Sequence, residues 1–350
     1  MSEQPFSPSD FTRLRVLGQG AYGKVYLVKK SSFPDPGKTY AMKVMNKADL
    51  VKGALQDQAY VERDITRDAR HAFVARLRHS FQTESRLYLL MDYYAGGPLH
   101  DALRRAAPKA DGRCTVGQMR FYAAELVLGL EYLHGRGIVH RDIKPPNVLI
   151  DAQGHVAITD FGMAIRSRGE DDEDAAARRR EGSPPRSTMF CGTDEYMAPE
   201  IFSRGKDYGF AVDWWALGVL CYDVVAGRSP FRPTRSDCDR EQLTTAKGIR
   251  MKLWENILRK QPDYPADKFD DADAVSFLSA LLTKDESSRP STSERIRSMP
   301  FFRELDWARA EQCHLEPPFV PSVYCALIGF RKTWRWTARS WGHVSATPFA

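Results

Sequence analysis

Apolar and polar positions alternate through residues 11–45, in TRLRVLGQGAYGKVYLVKK and TYAMKVMNK. Leu14 and Val16, Val25 and Leu27, and Tyr40, Met42 and Val44 recur with period 2, which predicts strands. SSFPDPGK between them predicts a turn. Residues 54–70 predict a helix and RLYLLMDYY a further strand, so this stretch reads as a small sheet with one helix. AGGPL at 95–99 breaks the pattern, and beyond it the chain reads as largely helical. Met119, Tyr122, Leu126, Leu130 and Leu133 share one helix face, while VDWWALGVLCYDVVAG is apolar nearly all round and predicts a buried helix. Residues 166–188 carry EDDED, then ARRR, then SPPRS. Such a segment buries too little to order itself, which predicts a mobile insertion.

A length of 350 residues is long for one simple core and predicts two lobes or domains. The 51 basic and 45 acidic residues give a net charge of +6 with no dense basic block in the folded region, so a mixed surface is expected and nucleic acid is not an expected partner. MSEQPFSPSDF has neither the basic nor the apolar part of a signal peptide. No run of 18 apolar residues occurs, so no transmembrane segment is expected. The six cysteines (114, 191, 221, 238, 313 and 325) show no C-x-x-C and no zinc spacing, which points to a reducing compartment.

The chemistry is carried by short motifs in a fixed order. Gly18, Gly20 and Gly23 form G-x-G-x-x-G, and strand-like KVYLVKK follows them. A dinucleotide fold would open a helix there, so a glycine-rich hairpin over nucleotide phosphates fits better. Lys43 lies mid-strand in AMKV, and Glu62 on the next helix could hold its ammonium toward two phosphates. In HRDIKPPN, Asp142 could orient a hydroxyl and accept its proton, and Lys144 could neutralise charge on a moving phosphoryl group. Asn147, and Asp160 of DFG, are oxygen ligands suited to magnesium. APE closes the series at 198–200.

Over roughly residues 10–322 the sequence resembles a eukaryotic protein kinase. FCGTDEYMAPE, DWWALGVL and FFRELDWARAEQCHLEPPFVP are similar to the AGC group. KTYAMKVMNKADLV, RHSFQTESRLYLLMDYYAGGPL and LWENILRKQPDYP resemble its ribosomal-protein and mitogen- and stress-activated kinases. The resemblance implies an α+β bilobal fold, with a small mainly antiparallel lobe at 11–92 holding one key helix. A larger helical lobe would span 93–302, flanked by an extension at 1–10 and a tail at 303–350 that turns atypical after about 322. It implies transfer of a phosphoryl group from ATP, with Mg2+, to protein serine or threonine; a nucleotide-binding scaffold with little turnover is the second reading. The implied ATP-binding set is Leu17, Gly18, Gln19, Gly20, Ala21, Tyr22, Gly23, Lys24, Val25, Ala41, Lys43, Met91, Asp92, Tyr94 and Leu149, with Met91 as gatekeeper. Thr193 would touch Asp142 and Lys144, Glu200 would pair with Arg289, and Asp213 would brace the HRD turn. An upstream activating kinase, a monomeric state and a cytoplasmic location, with the nucleus as a second, are further expectations of the resemblance.

Four departures from the family alter the picture. The residue two before the Cys of CGT, where the family is phosphorylated, is Met189; Ser187 and Thr188 are the neighbouring candidates. Thr66 replaces a large apolar residue of an internal stack and is expected to pack loosely. The family's F-x-x-F-S/T-F tail motif is absent, and Arg and Trp alternate there instead. Pro98 and Pro146 stand where the family carries acids that bind a basic residue upstream of the target; Asp223 matches a third such acid.

Overall fold

The computed structural model describes residues 6–20, 23–32, 35–53, 55–106, 113–166, 185–203, 205–321 and 334–335. The chain forms two compact units, one built on Met1–Ala59, Leu77–Tyr93 and Phe330–Ala350, the other on Tyr60–Arg76 and Tyr94–Gly329.

The first unit is a sheet. Its strands β1 (Phe11–Gly20), β2 (Gly23–Lys30), β3 (Thr39–Asn46), β4 (Leu77–Gln82) and β5 (Arg86–Asp92) run antiparallel in the order β1-β2-β3-β5-β4. The two-residue strand Trp334–Arg335 adds in parallel beside β1. Alternation sorts the side chains onto two faces. Val28, Tyr40, Met42, Val44, Tyr88 and Leu90 pack with Phe11 in one cluster. Met45, Leu77 and Leu89 pack in another with Leu50 of helix α1 (Lys47–Lys52) and with Leu55 and Ala59. Leu14 departs from the expected period: its side chain is 46% exposed. Register shifts between Arg13 and Arg15 and between Val16 and Gly18 interrupt the alternation of β1, as a bulge does.

Helix α2 (Gln56–Asp68) is divided between the units, with its residues from Tyr60 onward in the second. There follow β6 (Gly97–Pro98), α3 (Leu99–Ala106) and α4 (Val116–His134). Thr115 caps α4 with a capping box to Gln118, the arrangement that satisfies the first free N–H groups of a helix. Its five stripe residues Met119, Tyr122, Leu126, Leu130 and Leu133 are all buried. Helix α5 (Ala211–Ala226) is buried at every position but Asp223, as its apolar sequence predicts. The hairpin of β8 (Val148–Ile150) and β9 (Val156–Ile158) lies between, with β6 alongside β8, and β7 (Ile138–Val139) pairs with β10 (Ile165–Arg166). Most of the mobile insertion foreseen at 166–188, and nearly all of the Trp/Arg-rich tail, lie outside the described residues.

One buried ion pair ties α4 to the hairpin. Glu125 accepts from His155 Nδ1 at 2.6 Å and from Val156 N at 2.9 Å. Burial pushes the Glu125 carboxyl up, and the hydrogen bond to Glu125 raises His155 above its usual 6.5. Both groups hold protons more tightly folded than unfolded. Their stabilisation is complete below each unfolded pKa and is lost as pH rises through the folded one. For His155 that loss begins above pH 6.5. The melting temperature is therefore expected to fall as pH rises above about 6.5, and Glu125→Gln should flatten that slope in a thermal-melt series. An unchanged slope in the variant would assign the pH dependence elsewhere.

Candidate active site

The site is assembled on the turn His140–Asn147. Arg141 has φ 66°, a left-handed conformation that an L residue adopts only when its surroundings impose it. The fully buried carboxylate of Asp213, on α5, imposes it by accepting from His140 N at 2.9 Å and Arg141 N at 2.8 Å. His134 Nε2 lies 2.9 Å from the same carboxylate. Burial alone would raise Asp213, but His134, His140 and the backbone N–H outweigh it and hold the carboxyl below its usual range. The expected brace is therefore in place. His134 was not foreseen: at the end of α4 no local pattern marks a histidine whose partner is 79 residues away.

Asp142 is clamped from three sides. Thr193 Oγ1 donates to Oδ1 at 2.8 Å; Lys144 Nζ and Asn147 Nδ2 donate to Oδ2 at 2.7 and 3.0 Å. Lys144 also donates to Thr193 Oγ1 at 2.7 Å. A carboxylate has about four acceptor sites, so one, on Oδ1, is left for an incoming hydroxyl. Thr193 reaches Asp142 because Gly192 turns the chain: it has φ 115°, and a Cβ there would sit 2.9 Å from the Arg141 carbonyl oxygen. Only glycine suits that position.

Asn147 Oδ1 is buried and has no hydrogen-bond partner among the described residues, an arrangement that suits a cation. Asn147 O accepts from Thr159 N at 2.9 Å, which brings Asp160 next in sequence to that oxygen's segment. Asp160 also has positive φ, 65°. The Cβ position of Gly162 lies 3.4 Å from Asp160 Oδ1 and 3.9 Å from Glu62 Oε2, so the Glu62 carboxylate, 4% exposed, stands beside this segment. Phe161 is fully buried and meets the His140 ring edge-on at 5.1 Å. Among the described residues no group of three or more His, Cys, Asp or Glu could hold a metal alone. Asn147 and Asp160 would suit as two oxygen ligands of a magnesium ion.

The sheet unit carries the other expected residues. Leu17, Gly18, Gln19 and Gly20 end β1, and Gly23, Lys24 and Val25 open β2; Ala21 and Tyr22 at the tip lie outside the described residues. A strand, not a helix, thus follows the glycines. A Cβ on Gly23 would collide with the Val44 carbonyl oxygen, so the hairpin needs glycine there. Across the ladder Val25 pairs with Lys43, Ala41 with Met91 and Tyr40 with Asp92. In the second unit, Tyr94 O accepts from Gly97 N at 3.0 Å, and Pro98 pairs with Leu149.

One expectation changes. Thr66 does not pack loosely: it is 2% exposed, and its hydroxyl donates to the carbonyls of Glu62 at 2.7 Å and Arg63 at 3.1 Å. Back-bonding satisfies the hydroxyl within its own helix, so a buried threonine costs little there. Among the regulatory candidates, Thr188 and Met189 are exposed, and Ser187 alone reaches Arg141, at 2.8 Å. Farther out, Tyr196 Oη donates to Asp223 Oδ2 at 2.7 Å, and burial pushes the Asp223 carboxyl up despite that bond. Arg289 donates to both oxygens of Glu200, at 2.6 and 3.0 Å, as foreseen.

A turn that clamps an aspartate with a lysine, an asparagine and a threonine, beside an orphaned oxygen ligand, defines a phosphotransferase-type site. The protein kinase domain model matches residues 11–302, and the chain belongs to that family. Its curated relatives include ribosomal protein S6 kinase 2 alpha of Gallus gallus and ribosomal protein S6 kinase alpha-1 of Homo sapiens, each 38% identical over 320 residues and 90% of this chain. Ribosomal protein S6 kinase alpha-4 of Mus musculus is 38% identical over 327 residues, 92% of this chain. These agree with the AGC branch indicated by the motifs. The chain spans only 38–39% of the length of these relatives. No helix among the described residues is long and apolar enough to cross a membrane.

Proposed function

We propose that the chain transfers the γ-phosphoryl group of ATP to serine or threonine hydroxyls of protein substrates inside the cell. The observation that carries this reading is the Asp142 clamp: three acceptor sites are occupied by Lys144, Asn147 and Thr193, and one is left for the hydroxyl. In that position Asp142 orients the acceptor oxygen and takes its proton as the bond to the γ-phosphorus forms and the bond to the β-phosphate oxygen breaks, with ADP as the leaving group. Lys144, 2.7 Å from Asp142, stabilises the negative charge that develops on the transferred group. Asn147 and Asp160 would hold magnesium, which would neutralise charge on the ATP phosphates. Within the sheet unit, the glycine-rich hairpin and Lys43 supply backbone N–H groups and an ammonium suited to nucleotide phosphates. A scaffold with little turnover gains no support from this geometry, because the clamp is complete.

Lys43→Met tests the reading. It removes an ammonium and keeps a chain of similar length in a β3 position flanked by Val25 and Leu89. Peptide phosphorylation is expected to fall by about 10²–10³-fold, with the melting temperature little changed. Full turnover in the variant would remove Lys43 from the mechanism.

A further inference from the structure

The segment that delivers Thr193 to Asp142 is held by contacts that converge on Ser187. Ser187 Oγ accepts from Arg141 Nη1 at 2.8 Å and from Met189 N at 3.1 Å, which occupies both of its lone pairs. The Ser187 backbone forms an antiparallel bridge with Tyr208, with both N–H···O bonds at 3.0 Å. Tyr208, 1% exposed, donates its hydroxyl to the Met189 carbonyl and lies 3.6 Å from Cys191 Sγ. Arg141 is held on its other edge, where Nε donates to Met163 O at 2.6 Å. A continuous set of bonds therefore runs from Tyr208 through Ser187 and Arg141 to the turn that carries Asp142. Met189 offers no group that could take a phosphate, and its side chain is 45% exposed.

We propose that the Ser187 hydroxyl is a positioning residue: by holding Arg141 it keeps residues 187–193 in the transfer-competent arrangement with no phosphate on the segment. This rests on the kinase reading above. The bond is charge-assisted, because a guanidinium donates to a neutral oxygen that is itself fixed by a backbone N–H and a strand bridge. Phosphate normally orders such a loop by pairing with arginine. Here the arginine already has its partner, and the rest of the latch is backbone and Tyr208. An upstream kinase is then not needed to order this segment. Thr188, one residue along and exposed, takes no part.

The test uses the full chain treated with phosphatase and shown by intact mass to carry no phosphate, beside an untreated preparation. The phosphate-free protein is expected to keep its full kcat on a serine peptide. Ser187→Ala should lower kcat by about 10- to 100-fold, the range for one charge-assisted hydrogen bond, and leave the KM for ATP unchanged. Ser187→Thr retains the hydroxyl and should restore most of the rate, which a loss of fold would not. Thr188→Ala should match the wild type. The proposal is overturned if the untreated protein is active and the phosphate-free protein is not, or if Ser187→Ala equals the wild type. Absence of transfer from both preparations overturns the kinase reading and the proposal with it.

Discussion

Replacing Asp142 by Asn is expected to lower kcat for peptide phosphorylation by about 10²–10⁴-fold, the usual contribution of a positioned general base. The amide keeps the size of the side chain and one acceptor oxygen, which can serve Lys144 and Asn147 or Thr193 but not both, while the turn is still held by Asp213 through the His140 and Arg141 N–H groups. What is lost is the negative charge and the free acceptor site on Oδ1, the site left after Thr193, Lys144 and Asn147 have bonded. Nucleotide affinity should change little, because Asp142 is not among the residues assigned to the phosphates or the adenine. Separate measurement of ATP binding by calorimetry and of turnover by phosphate incorporation checks the split. Equal loss of both would make Asp142 a structural residue.

The second large effect concerns substrate choice. Pro146 sits in the tight turn Pro145–Asn147, four residues after Asp142, and Pro98 pairs with Leu149 three residues farther along. Neither ring carries charge. The acids that remain nearby already face basic groups of the chain: Asp101 lies 3.1 Å from His100, Glu195 lies 3.9 Å from Arg232, and Asp223 is bonded by Tyr196 and feels His100, Arg232 and Arg104. A peptide arginine placed three residues before the acceptor should therefore add little. Peptides with Arg or Ala at that position are expected to show similar kcat/KM. Each carboxylate restored at 98 and 146 offers a charge-assisted contact of roughly 1.5–3 kcal/mol. Pro98→Glu combined with Pro146→Glu should thus raise the preference for the Arg peptide by about a hundredfold or more. A strong Arg preference in the natural chain would contradict this account of the two prolines.

Much of the scaffold was legible because it depends on local periodicity. The β2–β3 alternation, the α4 stripe and the all-round apolar α5 each follow from neighbours in sequence. The site motifs were legible through their order: a glycine hairpin, a strand lysine, a helix glutamate, the HRD turn and DFG each restrict the next. What escaped depends on pairs far apart in the chain. Nothing near His134 announces Asp213, and nothing near Ser187 announces Arg141, 46 residues away. Thr66 is buried although the family's position calls for a large apolar residue, because its own helix supplies the acceptors for its hydroxyl. Leu14 departs from the period because the register shift between Arg13 and Arg15 leaves it exposed.

The most direct measurement is phosphate incorporation from γ-labelled ATP and Mg2+ into arrays of serine, threonine and tyrosine peptides by the purified chain. The account predicts label on serine and threonine peptides, none on tyrosine peptides, and none in the presence of a magnesium chelator. Tight binding of ATP with no label transferred to any hydroxyl would contradict it.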